Sequence, residues 1–462
     1  MKFWYRLKQL ILLIGDLSLF FVALWISLII RNLELDNKRQ LQENLQLFIV
    51  IFLVWLMLNY INGLYDLKKI SSKKSTTTLL QTAFSSFLIS IVIFYILPSR
   101  NINPKTILVL TVSIAYLFIY LWRKIYINIL INKKLKTNVL FLNYTSEVAE
   151  IIDILNKQKT LGYNVKAILN NDSKKIENTY QDIKIYENFY NLEKIIDDEK
   201  IEIIITNNNL NKEEEITQEL YKLLFKQIKI INISSFYESI TGRIPPSAFY
   251  KTWFLQYLSD LDKPIYNKFT RLIELFSILF FGTFFLILLP FIALFIKTNS
   301  KGKIFFKQKR LGKNGKTFWI YKFRTMYSLS KDGSAEIHGA EFAQKNDKRI
   351  TSIGKILRKT RLDELPQVIN LIKGEITVIG PRPERPEISA DLEKQMPYYN
   401  IRNVIKPGIT GWAQTQQHYT ANLETSLQKF QYDLFYIKNR SILLDISILL
   451  KTVNVVLRAM GQ

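Results

Sequence analysis

Long apolar runs alternate with short polar segments over the first part of the chain, at roughly residues 9–30, 47–65, 79–97 and 107–130. Each run is close to the ~20 residues that an α-helix needs to cross a hydrocarbon core. Lys and Arg gather before the first run, between the second and third, and at the end of the fourth. By the positive-inside rule, this distribution predicts a four-helix transmembrane bundle in residues 1–136 with both ends in the cytoplasm.

From Thr137 to about Ser234 the pattern changes to short β-branched runs such as "NVLFL", "NVKAIL", "IEIIIT" and "IKIINI", separated by polar helical windows. This βαβ rhythm predicts a small parallel sheet with Rossmann-like topology. A dinucleotide site requires a glycine-rich turn after the first strand, but the turn here, "LNYTSE", has no glycine. We therefore expect residues 137–262 to form a Rossmann-like cytoplasmic domain and linker without nucleotide binding, serving as a spacer or as a regulatory or dimerising module.

A fifth apolar run occupies residues 272–296. The length of this run fits an ordinary spanning helix. Both of its flanks are basic, however, with Lys268 before the run and Lys297 after it, and the positive-inside rule therefore predicts that both flanks lie in the cytoplasm. Pro290 lies inside the run, lacks an N–H and clashes with the carbonyl four residues earlier. We favour a re-entrant helix, broken near Leu289 and Pro290, that seats a third domain in one leaflet.

Composition narrows the chemistry. The formal net charge of +24 fits nucleic acid, an anionic bilayer or a phosphorylated substrate as partner. The chain has no cysteine and two histidines, His338 and His418, which excludes thiol nucleophiles, disulfides and Cys/His zinc sites. We expect both histidines in surface or loop positions. Asp16, inside the first apolar run, is either functional or engaged in helix–helix hydrogen bonding.

A basic and aromatic stretch, "KIFFKQKRLGKNGKTFWIYKFRTM", covers residues 303–326. Such interleaving also occurs on nucleic-acid surfaces. Because the stretch follows a membrane helix directly, lipid phosphates and a phosphorylated substrate are favoured as its anions, and nucleic acid is not expected. The alternation in "FWIYKF" predicts a strand that spaces its cations along one face of a sheet.

Two adjacent carboxylates, Asp363 and Glu364, stand in "LRKTRLDELPQVINLIKGEITVIGPRPERPE", residues 357–387. An acidic couplet in a basic chain is most often a surface salt bridge. Here Arg358 precedes the pair, and Arg382 follows in a proline-rich turn suited to bidentate phosphate binding. We expect these cations to keep Asp363 ionised, which makes it a candidate nucleophile or magnesium ligand for phosphoryl chemistry.

The ordered set of "FKQKRLGKNGKTFWIYKFRTM", "LRKTRLDELPQVINLIKGEITVIGPRPERPE", "KPGITGWAQ" and "YDLFYIKNRSILLDISILLKTV" resembles the bacterial sugar transferase family, the monotopic phosphoglycosyl transferases that act on polyprenyl phosphate. The resemblance covers residues 263–462 and implies a mainly helical catalytic domain there. The complete chain, an α plus α/β membrane protein, resembles the family's large members. Those are the undecaprenyl-phosphate sugar phosphotransferases of capsule, O-antigen and exopolysaccharide synthesis.

The resemblance implies a two-step reaction. Asp363 attacks the sugar-bearing phosphate of a UDP-sugar and releases UMP, and undecaprenyl phosphate then takes the sugar-phosphate from the aspartate. Glu364 helps to deprotonate the lipid phosphate or to position Mg²⁺, with Asp363 and Glu364 as metal ligands. Arg382 holds the nucleotide, and the further phosphate contacts are Arg358, Arg310, Lys322 and Arg324.

The resemblance also implies a setting: the bacterial inner membrane, with the soluble domains on its cytoplasmic face, and a homodimer as one oligomeric state. One departure is Leu289, where the family's small members commonly place a serine before the kink proline. The rival interpretation is a catalytically inactive membrane scaffold or regulator of polysaccharide assembly. The intact Asp363–Glu364 pair and Arg382 argue against it, and the pattern does not indicate which sugar is transferred.

Overall fold

The computed structural model describes residues 2–33, 38–68, 70, 72, 74–96, 104–131, 136–170, 183–187, 192–206, 214–226, 228–258, 263–327, 347, 349–417 and 423–457. The chain divides into two compact units, Met1–Thr241 and Gly242–Gln462. The second unit therefore includes residues 242–258, which the sequence pattern groups with the α/β domain. His338 and His418, both expected in surface or loop positions, lie outside the described residues.

Four long helices open the first unit and pack around an apolar core that includes Phe20, Phe52 and Trp55. Their outer faces carry exposed apolar side chains such as Phe84, which is 65% exposed. Each helix contains a segment long and apolar enough to cross a membrane. Exposed apolar surface on this scale is stable in lipid, so the chain is a membrane protein. The helices are α1 (Lys2–Asn32), α2 (Lys38–Ile61), α3 (Ser75–Ile96) and α4 (Pro104–Ile131).

A buried polar network joins these helices around Asp16 of α1. Arg123 of α4 donates to Asp16 Oδ2 at 2.8 Å and to the Leu64 carbonyl at 2.7 Å. Asn59 of α2 donates to the same Asp16 oxygen at 3.3 Å, and Tyr116 donates to Asn59 at 3.1 Å. Asp16 was expected either to be functional or to form hydrogen bonds between helices, and the structure shows the hydrogen bonds between helices.

Three parts of the bundle meet at one end: the start of α1, the loop after α2, and the end of α4. Tyr126 of α4 donates to the Lys8 carbonyl at 2.8 Å. Thr160, in a short 3₁₀ helix of the α/β domain, donates to the Leu67 carbonyl in the loop after α2 at 2.7 Å. Both termini of the bundle thus lie at the end that carries the α/β domain.

The α/β part of the first unit contains β1 (Thr137–Leu142), α5 (Ser146–Lys157), β2 (Tyr163–Leu169), β3 (Lys184–Tyr186), α6 (Leu192–Glu199), β4 (Ile203–Thr206), α7 (Glu214–Leu223), β5 (Lys229–Asn232) and α8 (Ile233–Thr241), with 3₁₀ turns at Lys159–Leu161 and Leu224–Lys226. The strands form a five-stranded parallel sheet in the order β3-β2-β1-β4-β5. Along β1, Val139 and Phe141 pack with α5 and α8, whereas Leu140 and Leu142 pack with α6 and α7. The predicted parallel α/β sheet is confirmed.

In its described residues the second unit is mainly helical, with one antiparallel hairpin and one short parallel strand pair. Its core contains Trp253, Tyr399, Phe430 and Tyr436. Its elements are α9 (Lys251–Leu258), α10 (Pro264–Asn299), β6 (Phe305–Leu311), β7 (Thr317–Phe323), α11 (Ser352–Thr360), α12 (Val368–Ile372), β8 (Thr377–Ile379), α13 (Pro386–Gln395), β9 (Gly408–Thr410), α14 (Trp412–Gln416), α15 (Leu423–Asn439) and α16 (Ile442–Leu457), with 3₁₀ helices at Pro246–Ala248, Lys313–Gly315, Leu362–Gln367 and Tyr399–Val404.

Helix α10 carries the fifth apolar run and continues without interruption for 36 residues. The predicted break near Leu289 and Pro290 is wrong, because α10 is helical on both sides of Pro290. A proline inside a helix removes one hydrogen bond and can kink the helix without ending it. One side of α10 packs into the unit through Phe285 and Ile292. The other side is exposed, with Phe276 65% accessible. Continuity of the helix does not decide its course in the bilayer, so the re-entrant course stays a prediction.

Two glycines allow β8 and β9 to approach closely at the start of the proline-rich turn. The Gly380 N–H donates to the Thr410 carbonyl at 2.8 Å, and the Gly408 N–H donates to the Pro381 carbonyl at 2.9 Å. A Cβ added at Gly408 would lie 2.1 Å from the Gly380 nitrogen. Only glycine therefore fits at position 408, and this contact holds the turn that carries Arg382.

We expect Gly408→Ala to destabilise the second unit by about 3 kcal/mol, because the new methyl group meets backbone that cannot move aside. Thermal unfolding of the detergent-solubilised protein measures this loss. Gly282→Ala in α10 is the matched control, since its Cβ would meet only a Val368 methyl group at 3.8 Å. Equal unfolding temperatures for the two variants would contradict the proposed close contact.

Candidate active site

The acidic pair lies on the 3₁₀ helix Leu362–Gln367, directly after α11. Arg361 ends α11 in the left-handed conformation, with φ of 59°, and turns the chain. Leu362 and Leu365 then pack against the cluster formed by the inner side of α10. The leucines of "LDEL" thus anchor the short helix to α10, and the two acids between them are placed next to the hairpin.

Glu364 is the anion at the centre of a cluster of cations. Lys322 Nζ donates to Glu364 Oε1 at 2.8 Å, and Arg382 Nη2 donates to the same oxygen at 2.9 Å. Burial alone raises the pKa of Glu364, but Lys322, Arg382 and Arg361 outweigh it and hold that pKa well below its usual range. Glu364 in turn raises the pKa of Arg382. The Glu364 carboxylate therefore remains charged and fixes two cations.

Asp363 has a different environment from its neighbour. It is only 7% exposed, and its Oδ1 is buried without a hydrogen-bond partner in the described part of the chain. Burial raises the pKa of Asp363, and the adjacent Glu364 raises it further, against the opposing effect of Lys322 and Arg358. This differs from the expectation that cations dominate Asp363, because those cations are hydrogen-bonded to Glu364 or to other groups. A desolvated carboxylate with a raised pKa is a stronger base and nucleophile than an exposed aspartate.

The hairpin of β6 and β7 supplies one of these cations from one face only. Lys322 pairs in register with Phe306, so it shares a face with Gln308 and Arg310. Lys307 and Lys309 alternate with these positions and lie on the other face. The prediction of cations along one face is therefore wrong. Side chains at odd and even positions of a strand lie on opposite faces, and the hairpin carries cations at both kinds of position.

Arg310 and Arg358 lie close to the acidic pair but bond to the protein. Arg310 Nη1 donates to the Pro383 carbonyl at 3.1 Å, and burial lowers the pKa of Arg310 to about 10. Arg358 Nε donates to Thr325 Oγ1 at 3.0 Å. Arg310 thus supports the proline-rich turn, and Arg358 contributes positive charge near Asp363.

Arg324 does not join the Glu364 cluster. Its guanidinium is 4% exposed and donates to the carbonyls of Lys301 at 2.6 Å and Ser300 at 2.7 Å. These carbonyls directly follow the C-terminus of α10, where a cation is favourable. The structure therefore places Arg324 at the end of α10, and its contact with a phosphate stays a prediction.

A buried ionic network behind the proline-rich turn was not found by sequence reasoning. Arg402 Nη2 lies 2.7 Å from Asp433 Oδ2 and donates to the Arg382 carbonyl at 2.8 Å. Glu384 lies 3.5 Å from Arg402 Nη1 and also bonds Lys429. The network fixes the backbone on both sides of Pro383. The residues of this network are far apart in the sequence and belong to no local motif, so no sequence pattern could have predicted that they contact one another.

Among the described residues, no three His, Cys, Asp or Glu side chains lie close enough together to bind a metal ion by themselves. Mg²⁺ commonly binds to one or two carboxylates and completes its shell with water and phosphate oxygens. The partnerless oxygen of Asp363 fits this pattern. Glu364 Oε1 fits it poorly, because two cations already occupy it.

We expect Asp433→Leu to destabilise the protein by roughly 3 kcal/mol, because it removes the closer of the two carboxylates that pair with the buried Arg402. Both side chains are 2% exposed in the pair. Chemical denaturation of the solubilised protein measures the loss. The control is Asp391→Leu, which removes a carboxylate that is 70% exposed and paired with Lys394; a similar loss there would show that burial of the pair is not the cause.

The sequence of this chain matches a known protein family and several of its members. The model of the family described as "Bacterial sugar transferase" matches residues 265–459. The chain is 37% identical over 242 residues to "UDP-N-acetylgalactosamine-undecaprenyl-phosphate N-acetylgalactosaminephosphotransferase" of Aeromonas hydrophila, covering 52% of this chain and 55% of that protein. It is 40% identical over 173 residues to "UDP-glucose:undecaprenyl-phosphate glucose-1-phosphate transferase" of Xanthomonas campestris pv. campestris, covering 37% of this chain and 34% of that protein.

The matches therefore span from a third to about half the length of these two relatives. A shorter relative is covered more fully: "Exopolysaccharide production protein PSS" of Rhizobium leguminosarum bv. phaseoli is 39% identical over 170 residues, which are 36% of this chain and 83% of that protein. Together with the family match, this coverage confirms the resemblance read from the motifs. The chain belongs to the bacterial sugar transferase family.

Proposed function

We propose that the protein transfers a sugar 1-phosphate from a UDP-sugar to undecaprenyl phosphate, giving undecaprenyl-diphosphate-sugar and UMP. The observation that carries this proposal is Asp363, buried with a partnerless oxygen beside the Glu364 cluster of Lys322 and Arg382. The printed names of the Aeromonas and Xanthomonas relatives, both undecaprenyl-phosphate sugar phosphotransferases, support the same reaction. The pathway we infer is extracellular polysaccharide or O-antigen synthesis.

In the first half-reaction, a carboxylate oxygen of Asp363 forms a bond to the sugar-bearing phosphorus. The bond from that phosphorus to the bridging oxygen breaks, and its electron pair leaves with UMP. Lys322 and Arg382 lie next to Asp363 and can offset the negative charge that collects on the phosphate oxygens. Glu364 holds both cations in place, so its role in this step is to orient them.

In the second half-reaction, an oxygen of undecaprenyl phosphate attacks the same phosphorus and returns the carboxylate of Asp363. The acceptor phosphate must reach the site from a bilayer, and α10 provides the route because its inner side packs against the 3₁₀ helix of the acidic pair. The family resemblance also gives Glu364 the deprotonation of the lipid phosphate, a step in which its low pKa makes it a weak base.

Mg²⁺, held by Asp363 and the substrate diphosphate, would supply charge neutralisation between the two anions. The protein's own contribution is positioning. Arg382 contacts the nucleotide phosphate, and Arg358 and Arg310 add positive charge around the acidic pair.

We also propose a topology in which residues 1–136 form the four-helix transmembrane bundle and residues 137–262 form the Rossmann-like domain and linker. The catalytic domain, residues 263–462, is held at the cytoplasmic face of the bacterial inner membrane by α10 as a re-entrant helix. The basic residues on both flanks of α10 support this course.

We expect Asp363→Asn to lower UMP release by roughly a thousandfold or more, because the isosteric amide cannot act as the nucleophile. Purified protein is incubated with a panel of UDP-sugars, undecaprenyl phosphate and Mg²⁺, and the panel also identifies the sugar. Asp391→Asn, on the exposed surface of α13, is the control. Without the lipid acceptor, the wild type should release a burst of UMP and retain labelled sugar-phosphate; transfer without such a burst would rule out the covalent step.

We expect Glu364→Gln to move the acidic limb of the pH profile for UMP release to lower pH. Glu364 raises the pKa of Asp363 by charge repulsion, so its neutralisation lowers that pKa, and Asp363 stays ionised in more acidic solution. The kcat/KM profile of the residual activity reports this free-enzyme pKa. Glu387→Gln, on the surface of α13, should leave the profile unchanged, and a shift to higher pH in Glu364→Gln would contradict the assigned interaction.

We expect single cysteines at Lys268 and Lys301, on the two flanks of α10, to react only with a reagent added from the cytoplasmic side. The chain has no native cysteine, so labelling has no background. A cysteine at Arg100, in a loop predicted to lie outside, is the control for reagent access. Labelling of one α10 flank from the outside would restore a spanning helix.

A further inference from the structure

We propose that the second face of the β6–β7 hairpin binds the headgroups of anionic phospholipids. This face, here named the basic–aromatic face, is defined by Lys307, Lys309, Trp319 and Tyr321. It takes no part in the proposed transfer reaction, since the cations that approach the acidic pair lie on the opposite face. The proposal therefore concerns the bilayer around the enzyme and does not depend on the identity of its substrates.

The strand register places these four side chains together. Lys307 pairs with Tyr321 and Lys309 pairs with Trp319, so cations and rings alternate on one surface. The Nζ atoms of Lys307 and Lys309 lie 5.0 and 5.5 Å from the centre of the Trp319 ring. Trp319 is 41% exposed. Lysines stacked on an accessible indole keep their ammonium groups in water and available to an anion.

The positive charge of this face is not neutralised by the hairpin. Residues 305–323 contain six Lys or Arg, at positions 307, 309, 310, 313, 316 and 322, and no acidic residue. Within the described parts of the chain, neither Lys307 nor Lys309 forms an ion pair, in contrast to Lys322 on the opposite face. Lys373, after α12, adds a further cation, with its Nζ 4.8 Å from the centre of the Tyr321 ring.

The same face runs directly onto the membrane helix. At the end of the hairpin where β6 begins and β7 ends, the rings of Phe305 and Phe323 stack with their centres 5.5 Å apart. The centre of the Phe285 ring of α10 lies 6.4 Å from that of Phe305 and 5.9 Å from that of Phe323. At ~3.3 Å per strand residue, Lys307 and Lys309 follow ~7 and ~13 Å beyond this contact. The basic–aromatic face therefore begins at the ring contact with α10 and continues away from that membrane helix, as a surface that binds headgroups next to the helix would.

The aromatic residues favour lipid over other anionic partners. Trp and Tyr are enriched at the membrane–water interface, where the ring meets acyl chains and the polar atom meets water. Clusters of lysine next to a membrane segment are attracted to anionic lipids. Nucleic acid or an acidic protein could also bind lysine and tryptophan, but neither would explain the continuity of this face with the apolar side of α10.

The test uses the full chain reconstituted into phosphatidylcholine vesicles with or without phosphatidylglycerol. A fluorophore at Thr317→Cys, on the same face, reports proximity to a nitroxide carried on a lipid headgroup. We expect several-fold stronger quenching with phosphatidylglycerol, and loss of that increase in Lys307→Glu/Lys309→Glu. The matched control, Lys194→Glu/Lys229→Glu, reverses two exposed charges in the α/β domain and should retain it.

Quenching that does not depend on phosphatidylglycerol, or that the hairpin variant retains, would overturn the proposal. A response to an added oligonucleotide without a response to lipid charge would also overturn it and assign the face to nucleic acid. UMP release in phosphatidylcholine alone should be the same in the hairpin variant and the wild type; a loss there would assign the lysines to the substrate. If the wild type releases no UMP, the proposed reaction fails while the quenching result stands.

Discussion

The carboxylate of Glu364 connects three parts of the second unit that are far apart in sequence. It lies on the 3₁₀ helix, accepts a hydrogen bond from Lys322 of the hairpin and another from Arg382 of the proline-rich turn. Without this anion, two partly buried cations would repel each other across the site. Because Glu364 binds Lys322 and Arg382, neither cation forms a hydrogen bond to the buried Oδ1 of Asp363.

The division of labour between the two acids follows from this arrangement. Adjacent carboxylates cannot share the same cations equally, and here Glu364 takes the hydrogen bonds while Asp363 keeps a buried oxygen without a partner. One acid is thereby a fixed structural anion, and the other is a desolvated group with a raised pKa. Behind the proline-rich turn, the buried pair of Arg402 and Asp433 fixes the backbone of Arg382, because Arg402 donates a hydrogen bond to the Arg382 carbonyl.

Periodicity in the sequence predicted the coarse architecture because it reports burial. The long apolar runs predicted membrane helices, and the alternation of short β-branched runs predicted the parallel sheet. The acidic pair stood out because its motif resembles a known family. The sequence pattern did not contain the directions of the side chains. Arg324 is two residues from Lys322, yet it turns to the end of α10. Lys307 and Lys309 lie on the opposite face of the hairpin from Arg310, so the prediction of cations along one face was wrong. The partnership of Arg402 with Asp433 depends on tertiary packing, which no local pattern contains.

Arg324 connects the end of α10 to the Glu364 cluster. The same short stretch of chain binds the carbonyls that follow α10 through Arg324 and contacts Glu364 through Lys322. Only Phe323 separates these two cations along the chain. A displacement of α10 along its axis, as a thinner or thicker bilayer would impose, would therefore act on the position of Lys322 beside Glu364.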